Sequence, residues 1–223
     1  RALRARPCVA AALAIGPFLL GSAAWSQSGV EDLIRGLQKR YASVTSVSAD
    51  FEQIYRAPGI VQTESGTLYM KKPGLMRWEY RTPEEKLFVA DGRDTYLYVP
   101  EDRQVLVRRY TSEELQSTPL QFLLGRGRIL ESFEVSPEVE IQARIEGTAL
   151  MRLVPRQSDP GYAWMAIECD ERTFDLRRLV IREHTGNTSE FFLTNIRTNI
   201  RMDSRQFSFK IPKGVEVIHL DEK

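Results

Sequence analysis

The chain has 223 residues, 42% of them hydrophobic and 27% charged, with a formal net charge of +1. This is the balance of a soluble globular protein with room for one large domain or two small ones. It excludes binding to nucleic acid through bulk positive charge.

The first 26 residues are set apart by composition. Arg1, Arg4 and Arg6 precede an apolar run from Cys8 to Leu20, and Ser22, Ala23 and Ala24 follow it. This is the layout of a secretory signal peptide, with cleavage expected near residues 24–26. The apolar run is shorter than the roughly 20 residues that span a bilayer. Without the three leader arginines, 28 basic residues face 30 acidic ones, a net charge near −2. Cys8 belongs to this leader, away from the cleavage end. Cys169 is then the one thiol left, and no internal disulfide is expected. It lies in the alternating run AWMAIECDE, which reads as a strand with Cys169 as a small buried apolar residue.

Residues 29–44 read as an amphipathic helix. Val30, Leu33, Ile34, Leu37, Tyr41 and Val44 recur at spacings of three and four, opposite Glu31, Arg35, Lys39 and Arg40. The run SVSADFEQIYR (46–56) alternates with period two, placing Val47, Ala49 and Phe51 on one side. A loop is expected over APGIVQTESG (57–66). The stretch LYMKKPGLMRWEY (68–80) then reads as strand, Lys-Lys-Pro-Gly turn and strand. Its alternation puts Leu68, Met70 and Lys72 on one side of the first strand, and Met76, Trp78 and Tyr80 on one side of the second. Further short strands fill residues 86–110, with turns at Asp91-Gly92 and Pro100-Glu101-Asp102.

The period changes near the middle. Thr111 with Glu114 forms a capping box, and Thr118-Pro119 is a second helix start that Gly125 ends. Strands are expected again over 139–146, 148–155, 162–170, 176–184 and 190–200, and the tail RQFSFKIPKGVEVI closes with a short pair. About ten strands in meander order predict a mainly β protein with some α. A single curved antiparallel sheet should form an unclosed β-barrel, capped by the N-terminal helix and the short mid-chain helices as a lid. Residues 27–223 read as one domain, with no repeat and no linker.

Catalytic signals are sparse. His184 and His219 have no ligand-like company and read as surface residues. There is no G-x-S-x-G elbow, phosphate loop or dinucleotide fingerprint. Glu84-Glu85 and Glu113-Glu114 read as solvated pairs. Gly125-Arg126-Gly127-Arg128 reads as a helix stop followed by basic residues. The chain is therefore expected to be a non-enzyme that needs no cofactor and no metal. A curved sheet must fill its concave face with side chains or with a ligand. Methionine and tryptophan suit a lining that adapts to flexible apolar guests.

Several stretches, in order, carry a resemblance: Phe51-Glu52-Gln53, the hairpin GTLYMKKPGLMRWEY, Val89-Ala90-Asp91-Gly92 with Tyr96-Leu97-Tyr98, TPLQFLLG (118–125) and FSFKIPKGV (207–215). They resemble the LolA-type carriers of outer-membrane lipoproteins, over roughly residues 30–217. The resemblance implies a monomeric periplasmic carrier whose open barrel holds lipoprotein acyl chains. It takes them from an inner-membrane lipoprotein-releasing transporter and gives them to an outer-membrane lipoprotein receptor. It places Leu37, Leu68, Met70, Met76, Trp78, Phe122 and Leu123 along the acyl-chain cavity. It also implies that the residue before the hairpin proline, an arginine in the family and Lys72 in this chain, latches the lid. Lysine keeps the charge of that latch and lacks the planar fork. A related sensor of stray lipoproteins, built on the same open barrel, is the alternative.

Overall fold

The computed structural model describes residues 27–109, 128–137 and 139–220. The expected signal peptide and the expected mid-chain helices, with Phe122 and Leu123, lie outside the described residues.

The expected helix is α1, Gln27–Ala42. Its apolar positions Val30, Leu33, Ile34, Leu37 and Tyr41 are all buried, and Lys39 and Arg40 sit in its last turn, where cations complement the helix dipole. Six strands follow as a meander: β1 (Ser46–Ala57), β2 (Ile60–Lys71), β3 (Leu75–Thr82), β4 (Lys86–Ala90), β5 (Asp94–Val99) and β6 (Gln104–Arg109). A short helix α2 (Ile129–Ser132) leads into β7 (Phe133–Ser136), neither of which the sequence pattern revealed. A second meander comprises β8 (Thr148–Pro155), β9 (Trp164–Asp170), β10 (Leu176–Arg182) and β11 (Thr188–Thr198), and β12 (Glu216–His219) ends the order.

These strands form one 12-stranded sheet in the order β12-β6-β5-β4-β3-β2-β1-β11-β10-β9-β8-β7. The two meanders join where β1 pairs antiparallel with β11, setting Phe51 opposite Leu193. The edge strands β12 and β7 do not pair with each other, so the barrel is unclosed. Gly66 helps the sheet curve. A Cβ there would lie 1.9 Å from the Glu79 carbonyl oxygen, and the β2–β3 register shifts beside it.

Three expectations are corrected. Residues 60–65 belong to β2 and not to a loop, because β1 and β2 stay paired up to Ala57 and Ile60, on either side of the turn. The tail forms no hairpin. After a 3-10 helix (Ser204–Phe207) it crosses the outer face, where the Phe209 ring lies 5.4 Å from that of Tyr96, and β12 then pairs parallel with β6. Residues 139–146 are not a strand, although Val139 and Ile141 do pack on the outer cluster of Trp164, Ala166 and Val180.

That last segment is held by a side chain where a strand would use a neighbouring backbone. Glu168 Oε1 accepts the Arg144 and Ile145 amides at 2.9 and 2.7 Å and the Thr148 hydroxyl at 2.7 Å. Its Oε2 accepts from Arg178 Nη1 at 2.8 Å. Arg178 also donates from Nε to Glu190 at 2.6 Å and from Nη1 to the Gln142 carbonyl at 2.9 Å. Arg56 reaches the other Glu190 oxygen at 2.6 Å. Glu168, Arg178 and Glu190 are all buried, and their mutual pairing is what makes that tolerable.

The cluster has a pH signature. Burial pushes the Glu190 carboxyl up, but Arg56, Arg178 and Arg144 together outweigh it, and its pKa lies below the ordinary value. A carboxyl depressed in the folded state contributes stability that is present above its unfolded pKa. That contribution is lost as pH falls through the lower folded value. The urea midpoint is expected to fall below about pH 4, and Glu190→Gln to flatten part of that fall. A wild-type acid limb that Glu190→Gln leaves unchanged would contradict this assignment.

Candidate functional site

The concave face is built from the inward positions of the alternating strands. In β2 and β3, Leu68 lies opposite Trp78, and Met70 opposite Met76. Phe51 of β1 and Phe191 of β11 extend this surface sideways. The Trp78 ring is 4.8 Å from Phe51, 6.4 Å from Tyr80 and 5.9 Å from Phe191, so aromatic rings occupy its centre. Met151, Leu153, Met165, Ile167 and Leu179 continue it across the second meander. Alternation identified Met70, Met76 and Trp78 from sequence. Alternation also set Phe51 on the apolar side of β1, whereas Phe191 and Leu193 join this surface only because β1 pairs with β11, which no local pattern reveals.

Helix α1 roofs this surface. Leu37 and its neighbours belong to one hydrophobic cluster with Leu68, Met70, Met76 and Trp78. Each of these five residues is at most 5% exposed, so the described part of the concave face is packed.

The C-terminal half of α1 is seated at several points. Gly36 lies against Phe174, so closely that a Cβ would come within 2.3 Å of the ring. Arg40 pairs with Asp175 at 3.1 Å. Tyr41 accepts the Leu176 amide on its hydroxyl at 3.1 Å, and burial pushes its pKa up to about 12, so it stays neutral. Lys72, in the β2–β3 turn, donates from Nζ to the Tyr41 and Ala42 carbonyls at 3.1 and 3.0 Å. Those carbonyls end the helix, where a cation is favoured.

The other sequence candidates lie elsewhere. His184 and His219 are exposed, and the His184 ring is 2.8 Å from the Asp159 carbonyl oxygen. Glu84 and Glu85 are exposed. Cys169 is fully buried, and burial first, then Asp170 and its acidic neighbours, raise its thiol pKa to about 12. It is a packing residue and not a nucleophile. The concave face is an apolar surface under a helix whose C-terminal end is hydrogen-bonded to Lys72 and to Leu176.

Residues 42–210 match the family model described as outer membrane lipoprotein carrier protein LolA. The chain belongs to the LolA family. An outer-membrane lipoprotein carrier protein of Chromohalobacter salexigens is 31% identical over 211 residues, covering 93% of this chain and 95% of its own. The proteins of the same description from Hahella chejuensis and Bordetella avium are 30% and 29% identical, over 84% and 93% of this chain and 87% and 95% of theirs. Among solved structures, an uncharacterized conserved protein of Thermus thermophilus matches with a TM-score of 0.52 at 14% identity, covering 85% of this chain and 98% of its own. Lipoprotein LppX of Mycobacterium tuberculosis matches with a TM-score of 0.50 at 11% identity, covering 80% of this chain and all of its own. At these identities the structural matches bear on the fold alone. Of the positions the resemblance implies, Leu37, Leu68, Met70, Met76 and Trp78 lie in one cluster and Lys72 lies at the helix end, while Phe122 and Leu123 are outside the described residues.

Proposed function

We propose that this protein is a periplasmic carrier that shelters lipoprotein acyl chains on its concave face. It receives them from an inner-membrane transporter and passes them to an outer-membrane receptor. The observation that carries this reading is an apolar surface rich in methionine and aromatic rings, roofed by an amphipathic helix, in a chain of the LolA family. Unbranched methionines at Met70, Met76, Met151 and Met165 can repack around a guest of variable shape.

The energetics explain why the roof matters. An acyl chain with about 15 methylenes gains roughly 12 kcal/mol on leaving water, at about 0.8 kcal/mol per methylene. Three such chains approach ~35 kcal/mol, beyond the practical ceiling near 20 kcal/mol for noncovalent binding. Cargo therefore cannot cross water bare, and a carrier that captured the whole gain would never release it. Displacing α1 exposes Leu33, Ile34 and Leu37 and offsets part of the gain. Transfer then needs only a receptor that binds the chains better, and no covalent step.

In this reading Lys72 sets how readily the roof opens. Lys72→Met removes both bonds to the helix carbonyls, and about 1–2 kcal/mol of closure with them. The rate of uptake of a fluorescent fatty acid is expected to rise about 5–30-fold. Lys72→Arg adds fork donors at the same carbonyls and is expected to slow uptake. If both variants take up the probe at the wild-type rate, Lys72 is not a latch.

The carrier reading itself is tested with spheroplasts that are making lipoprotein. The mature protein is expected to release newly made lipoprotein as a soluble complex. Lipoprotein that stays on the membrane would overturn the reading.

A further inference from the structure

A cavity of about 480 Å³ lies on the outer face of the sheet, across from the concave cluster. Arg56, Arg144, Arg178 and Arg182 line it together with Glu190. The strand register explains how arginines far apart in sequence meet. Arg56 of β1 and Arg182 of β10 both lie opposite Thr188 of β11. They flank it from the two sides, roughly 10 Å apart by two strand spacings. Arg178 forms the buried floor, and Arg144 arrives on the segment pinned by Glu168.

The charges do not balance. Four guanidinium groups face Glu190 and, behind Arg178, Glu168, which leaves a surplus of two positive charges. The three arginines on Glu190 are accounted for by the ion cluster that holds residues 139–145. Arg182 is not part of that cluster, and its side chain makes no ion pair among the described residues. Clustering four guanidinium groups on two carboxylates raises the local positive potential, which favours an anion.

We propose that this pocket binds a phosphate monoester or inorganic phosphate. A phosphate monoester carries about −1.5 to −2 charge at pH 7, which matches the surplus, whereas a single carboxylate would leave half of it. Its tetrahedral oxygens can accept from guanidinium forks on several sides at once, which the planar Glu190 carboxylate, already occupied by Arg56, Arg144 and Arg178, cannot. The volume exceeds that of a bare phosphate, and Ile141 and Val180 supply an apolar wall for a substituent. The site is separate from the concave face and does not depend on the carrier reading.

The test uses the mature full-length chain at low ionic strength, since salt screens exposed arginines. Inorganic phosphate is titrated by calorimetry, and vesicles of phosphatidic acid in phosphatidylcholine are compared with pure phosphatidylcholine by co-sedimentation. Wild type is expected to bind inorganic phosphate, phosphatidic acid vesicles, or both, and Arg182→Gln to weaken that binding at least tenfold. Arg201→Gln, at an exposed position outside the pocket, should change it less than twofold. Binding of inorganic phosphate assigns the site to a soluble ligand, and binding of phosphatidic acid vesicles alone assigns it to a lipid headgroup. Circular dichroism of both variants checks that the fold is kept, and Arg182→Lys, which retains the charge, should recover part of the affinity. No binding to either probe overturns the proposal. Equal weakening by Arg182→Gln and Arg201→Gln also overturns it, because the attraction would then be diffuse.

Discussion

Trp78→Ala is expected to lower the free energy of unfolding by about 3–5 kcal/mol, read from urea denaturation of the mature chain. Trp78 is 5% exposed at the centre of the concave face, and its ring meets Phe51, Tyr80 and Phe191. Truncation removes a large buried apolar group and leaves a cavity that rings on three sides cannot close. Trp78→Leu retains part of the volume and should cost about half as much. The same geometry warns against Trp78→Glu as a probe of cargo binding. An unpaired carboxylate at this depth costs several kcal/mol, so loss of cargo would report unfolding before it reported the lining. If Trp78→Ala costs less than about 1 kcal/mol, α1 does not hold the concave face closed at rest.

Glu168→Ala should be comparably severe, about 3–5 kcal/mol, for an unrelated reason. The carboxylate is fully buried and accepts from the Arg144 and Ile145 amides, the Thr148 hydroxyl and the Arg178 guanidinium. Its removal leaves Arg178 with only Glu190 and the Gln142 carbonyl, and strands two backbone donors that have no sheet neighbour. Amide exchange of residues 139–146 is expected to lose its protection along with the global loss of stability. Glu168→Gln keeps an acceptor for the two amides but not the charge that faces Arg178, and should fall between wild type and Glu168→Ala. An Ala variant as stable as wild type would mean that the outer segment is held by Val139 and Ile141 packing alone.

Much of the concave site was legible beforehand because it depends on period. Leu37 falls on the buried stripe of α1, and Leu68, Met70, Met76 and Trp78 occupy alternate positions in two strands joined by a tight turn. Once a segment is helix or strand, its geometry decides which side each residue faces, and one face of each element must be buried. The same rule misled at residues 139–146. Val139, Ile141, Ala143 and Ile145 alternate as a strand would, and two of them do pack inward against the sheet. Alternation reports burial of one face, however, and does not report whether a second backbone lies alongside.

By itself the sequence determined the type of most elements, α1, β1, the β2–β3 hairpin and β8 to β11, and the inward face of α1, β1 and the hairpin. Each is set by contacts between residues a few positions apart. Tertiary structure alone decided which distant partner completes each element. It joined β1 to β11, returned β12 parallel to β6, set Lys72 under the end of α1, and gathered Arg56, Arg144, Arg178 and Arg182 around Glu190. The physical reason is that pattern encodes the need to bury a surface or pair a charge. Which surface or charge meets it depends on chain closure across more than a hundred residues, and no local period carries that information.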